Sequence, residues 1–141
     1  MAITEAHAGR RYSPTDPYQV SAAKIAEFAT ALGDDNARYR GESPIAPPTF
    51  AAVISAHAWD QLFGDPELEL SLERVVHGDQ RFIFSRPIHA GDVVIASLTL
   101  GKVRVRAGSE LVSATVDMAG HDGEPICSAQ ATFYHVREAV A

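Results

Sequence analysis

Apolar positions recur at two different periods along this chain, and the change falls near its middle. In the first half, Ile25, Phe28, Ala29 and Leu32 follow a helical spacing. Ser21 stands where an N-cap belongs, and Gly33 suits the left-handed position that ends a helix. Tyr18-Gln19-Val20 ahead of this helix reads as a short edge strand, and Gly9 to Pro17 as an arm punctuated by Pro14 and Pro17. Asp34-Asp35-Asn36 continues as a polar turn, and residues 37 to 47 are irregular, with Gly41, Pro44 and Pro47. Pro48 is placed for the first turn of a second helix, where its missing N–H is not needed. That helix is predicted from about Thr49 to Phe63, with Gly64 and Asp65-Pro66 ending it. Phe50, Val53, Ile54, His57, Ala58, Leu62 and several further alanines lie around most of its circumference. This is the pattern of a buried helix, in which His57 reads as a satisfied core histidine.

From Glu73 the period becomes two. Gln80, Phe82 and Phe84 share one face, while Arg81, Ile83 and Ser85 share the other. After a connection from Arg86 to Asp92, strands are predicted at Val93–Val105, Leu111–Ala119 and Ile126–Val136. Ala107-Gly108-Ser109 and Asp122-Gly123 supply the turns between them. Long consecutive strands with short turns imply an antiparallel sheet. One buried helix beside it gives an α+β fold, a sheet wrapped around a central helix in one domain spanning residues 1–141.

Composition narrows what such a domain does. The chain has 141 residues, 12 Lys+Arg against 18 Asp+Glu and a formal charge of −6, which argues against a nucleic-acid partner or a basic membrane patch. The single Cys127 makes neither an internal disulfide nor a cysteine-rich zinc site, and it reads as a packed thiol. His7, His57, His77, His89, His121 and His135 lack metal-ligand spacing beside an acid, so no metal and no cofactor are expected. No apolar run approaches the ~20 residues of a membrane span, and the first residues are too polar for a signal peptide. A cytoplasmic location is therefore expected. The domain is small to enclose a substrate alone, which makes oligomerisation a working expectation.

Three segments carry a family resemblance. They are Tyr18-Gln19-Val20 with Lys24 to Ala29 and Gly33-Asp34-Asp35-Asn36; Ile45-Ala46-Pro47-Pro48-Thr49-Phe50; and Val76-His77-Gly78-Asp79-Gln80-Arg81-Phe82 with Arg86-Pro87-Ile88 and Ala90-Gly91-Asp92. In this order the chain resembles the MaoC-like, hotdog-fold (R)-specific enoyl-thioester hydratases and 3-hydroxyacyl dehydratases. The resemblance implies a helix wrapped by a sheet, a substrate that is an acyl thioester of coenzyme A or acyl carrier protein, and side-by-side pairing of two hotdog domains. It also implies a catalytic pattern, Gly-Asp-x-Asn-Pro-x-His, with an oxyanion donor from a Gly at the start of the central helix. Asp and His there serve one water: one side deprotonates it, the other delivers a proton to C2.

This sequence departs from that pattern in two places. Gly33, Asp34 and Asn36 match, but Ala37 stands for Pro and Tyr39 for the catalytic His. A phenol, with an ordinary pKa of about 10, is a poor proton partner near neutrality. Pro48 stands where active members carry the Gly, and it has no N–H to donate. Such departures are similar to the non-catalytic halves of double-hotdog hydratases, and most of all to HadA- and HadC-like subunits of two-subunit dehydratases. The resemblance thus implies an acyl-binding subunit whose partner carries Asp and His. Asp34, Asn36 and Tyr39 are the candidate catalytic-position residues, and Pro48, Thr49, Phe50, His77 and Gln80 the candidate substrate-binding ones. Two alternatives remain open: a homodimeric (R)-specific enoyl-CoA hydratase with a rewired site, and a non-enzymatic acyl-thioester-binding protein. Arg81, Arg86, Arg104 and Arg106 are candidates for a carrier's phosphates or for a solvated strand face.

Overall fold

A computed structural model describes residues 2–137. Its elements are β1 (Tyr18–Gln19), α1 (Ala22–Ala31), α2 (Ala51–Phe63), β2 (Val75–Phe84), β3 (Val93–Arg106), β4 (Ser109–Gly120) and β5 (Pro125–Val136). The strands form an antiparallel sheet in the order β1-β3-β4-β5-β2. Alternation sorts its two faces. Val94, Ala96, Leu98 and Leu100 of β3, Val112, Ala114, Val116 and Met118 of β4, and Ala129, Ala131 and Phe133 of β5 are buried. Alanines at 96, 114, 129 and 131 keep that inner face shallow where α2 packs on it, against β3 and β5.

The ladders shift register at three places, on β2, on β3 and between Met118 and Ala119 of β4, and such bulges increase the curl of a sheet. On β3 the register shifts between Leu100 and Val103, and Ser113 Oγ accepts from the Lys102 N–H at 2.8 Å. On β2 it shifts between His77 and Asp79, where a side chain on Gly78 would overlap the Tyr134 ring. Glycine is required there for close approach, not for an unusual backbone angle.

The arm before β1 has a structural task. Gly9, Tyr12 and Thr15 donate backbone N–H groups to Leu100, Leu98 and Ala96 at 2.7, 3.0 and 2.8 Å. With β1 on Val93 and Val94, the arm covers the outer edge of β3. At the other side of the sheet β2, ten residues long, has no further strand beside it among the described residues.

Several expectations hold at the level of detail. Ser21 Oγ accepts from the Lys24 N–H at 3.1 Å as the α1 cap, and Gly33 ends the turn with φ +73°. The second helix differs from its prediction. Pro48–Phe50 is a 3-10 turn that leads into α2 at Ala51. Ala51, Ile54, Ser55, Ala58 and Leu62 are its buried stripe, while Ala56, His57 and Asp60 are exposed. The helix is therefore buried on one side only. His57 is not a core histidine: its ring lies 5.5 Å from Tyr18 on the exposed face. Alanine misled the reading, because it is apolar in a pattern yet costs little when exposed. Leu32, expected on the α1 stripe, is 52% exposed. No helix among the described residues is long and apolar enough to cross a membrane.

Candidate functional site

The candidate residues fall in three places. The first is the turn after α1. Asp34 Oδ1 accepts from the Asn36 N–H at 3.0 Å, and Asn36 Oδ1 accepts from the Arg38 N–H at 3.0 Å, capping the 3-10 turn Ala37–Tyr39. Arg40 braces this from outside, donating to the Asp34 and Asn36 carbonyls and to Thr30 Oγ1 at 2.8, 3.1 and 3.2 Å. Asp34 is half-buried and Asn36 exposed. Both side chains shape the turn, as short polar side chains do in Asx turns. Tyr39 leaves the turn in another direction and makes no hydrogen bond with Asp34.

The second place is a cavity of about 420 Å³ into which Tyr39 projects, beside Pro48, Ile45, Phe84 and Ile88. Its wall comes from the end of β2, two 3-10 turns and the irregular stretches between them, and backbone bonds join these segments. Ile45 N–H donates to the Arg38 carbonyl at 3.0 Å, Ala46 N–H to Ile88 at 2.7 Å, and Ala90 N–H to Pro44 at 3.0 Å. Pro48 is exposed at the start of its 3-10 turn and offers the cavity no N–H. Thr49 beside it is exposed. Phe50 does not reach the cavity. It is fully buried between the rings of Tyr18 and Phe28, at 6.3 and 5.4 Å, and is a core residue rather than a ligand contact.

The third place is the β2 bulge. His77 is exposed, its Nε2 lies 3.0 Å from Gln80 Oε1, and its ring packs 5.3 Å from Trp59 and 5.1 Å from Phe133. A shallow cavity of about 200 Å³ runs from His77 to Gln80. Trp59 Nε1 beside this edge is buried and has no acceptor. Within one chain, then, Tyr39 and Pro48 share a cavity, whereas Asp34, His77 and Gln80 lie elsewhere.

Arg86 lines the apolar cavity but is not free for a ligand. It forms a two-point contact with Asp92 at 2.8 and 3.2 Å and reaches Glu124 at 3.1 Å. The Asp92 contact, above all, holds the guanidinium charged, and Glu124 adds to it against the cost of burial. Cys127 is buried on β5, and burial pushes its thiol up to about 11, which makes it inert as a nucleophile. Among the described residues no group of three His, Cys, Asp or Glu is gathered to hold a metal ion.

The sequence reading missed Arg38, Ser43 and His89. They line a second cavity of about 360 Å³ that shares Ile45 and Pro87 with the first. Both segments read as irregular, and an isolated bridge such as Ile45 with His89 leaves no periodic trace. The one available signal was Arg86-Pro87-Ile88, quoted for its likeness alone.

Residues 6–129 match the family described as FAS1-like, dehydratase domain region. The chain belongs to this family. It is 47% identical over 97% of its length to a UPF0336 protein of Cutibacterium acnes, covering 96% of that protein. It is 42% identical to a UPF0336 protein of Thermobifida fusca, over 89% of each chain. Among solved structures it resembles a C-terminally truncated HadBC (3R-hydroxyacyl-ACP dehydratase) complex from Mycobacterium tuberculosis, with TM-score 0.83, 24% identity and coverage of 95% and 99% of the two chains. A MaoC-like dehydratase gives TM-score 0.84 at 23% identity, over 94% of this chain and 43% of that one. The fold is the hotdog: a curled antiparallel sheet with a helix laid on its inner face.

Proposed function

We propose that this family member is the non-catalytic, acyl-binding subunit of a heteromeric dehydratase or hydratase acting on (R)-3-hydroxyacyl or 2-enoyl thioesters. The observation that carries this reading is the cavity that Tyr39 and Pro48 share. It has the volume and apolar wall for a hydrocarbon or amide arm, but it lacks a proton relay. Asp34 spends its carboxylate on the Asn36 N–H, and Pro48 has no N–H for an enolate oxygen. Hydration adds hydroxide to C3 and a proton to C2 of the enoyl thioester, so it needs a base and an acid beside one water. In this reading both come from a partner hotdog subunit carrying Gly-Asp-x-Asn-Pro-x-His, paired along the uncovered edge of β2. The ligand's carrier is coenzyme A or acyl carrier protein.

The test mixes this chain with such a partner and follows crotonyl-CoA hydration by loss of the enoyl absorbance. The expected result is no turnover by this chain alone and turnover by a stable complex. Turnover by this chain alone, abolished in Asp34→Ala, would instead establish the homodimeric hydratase. Saturable acyl-CoA binding without turnover, alone and with the partner, would establish a binding protein.

A further inference from the structure

The two cavities that meet at Ile45 and Pro87 differ in chemistry. The one holding Tyr39 and Pro48 is mostly apolar, its polar lining being the Tyr39 phenol, Ser85 and an Arg86 already held by Asp92 and Glu124. Its neighbour is walled by Arg38, Ser43 and His89, all exposed. Cations nearby are committed: Arg40 to two carbonyls and Thr30, Arg86 to Asp92 and Glu124. Arg38 differs. Its backbone is fixed at both ends, N–H to Asn36 Oδ1 and carbonyl to the Ile45 N–H, yet its guanidinium has no hydrogen bond or ion pair among the described residues. His89 is fixed likewise, its N–H donating to Asp92 Oδ2 at 2.8 Å and its backbone bridging Ile45. A rigid frame thus presents an unpaired guanidinium, a hydroxyl and an imidazole at the mouth of an apolar slot, in a chain of net charge −6.

We infer that the cavity of Arg38, Ser43 and His89 is a phosphate subsite, holding the phosphate ester of a ligand whose uncharged arm lies in the neighbouring apolar cavity. A guanidinium suits this role because its planar donors match two phosphate oxygens at once. The inference rests on the acyl-thioester reading above and adds where the carrier's phosphate binds. Coenzyme A and the prosthetic arm of a carrier protein both present a pantetheine phosphate ester, so the chemistry is shared and the source is left to measurement.

The experiment titrates the full chain by calorimetry with hexanoyl-pantetheine, which lacks phosphate, and with hexanoyl-phosphopantetheine, hexanoyl-CoA and a hexanoyl carrier protein. The phosphopantetheine ligand is expected to bind about tenfold more tightly than the phosphate-free one, an advantage that shrinks with added salt. Arg38→Ala is expected to erase that difference while leaving hexanoyl-pantetheine affinity unchanged, and Arg38→Lys to restore part of it. Loss of affinity in Arg38→Ala for coenzyme A, for the carrier protein or for both supports the subsite and names its source. Equal wild-type affinity with and without phosphate overturns the inference, as does an Arg38→Ala protein that binds every phosphate ligand like wild type. Either result leaves the acyl cavity standing, provided that hexanoyl-pantetheine binds. If no hexanoyl ligand binds at all, the acyl reading fails and the subsite with it.

Discussion

Glu110 and His135 are each 2% exposed, and their hydrogen bonds fix the orientation of the ring. Ser71 N–H donates to His135 Nε2 at 3.0 Å, so that nitrogen carries no proton. His135 Nδ1 therefore holds the proton and donates it to Glu110 Oε2 at 2.9 Å, while Arg137 Nε donates to the other carboxylate oxygen. Glu110 is thus held by the His135 ring at one oxygen and by the Arg137 guanidinium at the other. Removing the imidazole strands a backbone N–H and half of a buried carboxylate. Replacing His135 with Ala is expected to cost about 2–4 kcal/mol in urea denaturation, with the slope unchanged. A cost under about 0.5 kcal/mol would mean that water replaces the ring. Nothing in the alternation of the sequence marked this network. His135 and Glu110 sit at inward positions of ordinary strands, and only the pairing of β4 with β5 sets them opposite each other.

Among the elements, the arm before β1 was the least legible. Its task is carried by main-chain bonds to β3, and backbone bonding without side-chain alternation leaves no pattern to read. Helix α1 was legible because its cap, stripe and Gly33 all state one answer, and the β4–β5 turn because Asp122-Gly123 does. The cavity that Tyr39 and Pro48 share was half legible. Tyr39 and Pro48 stood out by departing from a pattern, but the bridge that faces Ile45 with His89 could not be foreseen. The arm is fastened to the end of α2 by side chains. Arg10 donates to Asp65 at 2.8 Å and to Glu67 at 2.5 Å, and the Tyr12 hydroxyl donates to Asp65 at 2.6 Å. Burial alone would raise the Asp65 pKa. The Tyr12 and Arg10 bonds outweigh it, with the Glu67 N–H, and hold it below the usual carboxylate range. A depressed native pKa stabilises the fold in full above the unfolded value of about 3.9, and that contribution is lost as pH falls through the native one. Asp65→Asn is therefore expected to lower the urea midpoint at pH 7, and the gap to wild type to close only as pH falls below about 3.9 and through the native pKa. A gap that stays constant with pH would show that the charge at 65 contributes nothing.

At the scale of the whole molecule the sheet has two edges, and they are treated differently. The β3 edge is closed by the arm and β1, whereas β2 is open and carries Val76 and Ile83 at 63% and 49% exposure. The bulge at His77–Asp79 turns its first half away, which leaves Gln80–Phe84 as the regular stretch able to take another strand. That stretch ends at Phe84, which lines the apolar cavity. A subunit added at β2 would thus lie against the wall of the cavity that Tyr39 and Pro48 share. Ile83→Lys places a charge on the open edge without disturbing the core, because the side chain is already half in water. The expected outcome by sedimentation is at least tenfold weaker association, of this chain with itself or with a catalytic partner, with the circular dichroism unchanged. In the complex, hexanoyl-pantetheine is expected to bind more tightly than to this chain alone, a gain that Ile83→Lys removes where the partner adds to the cavity wall at Phe84. Association untouched by the lysine would place the interface elsewhere. Weakened association with undiminished hexanoyl-pantetheine binding would show that this chain forms the binding cavity alone.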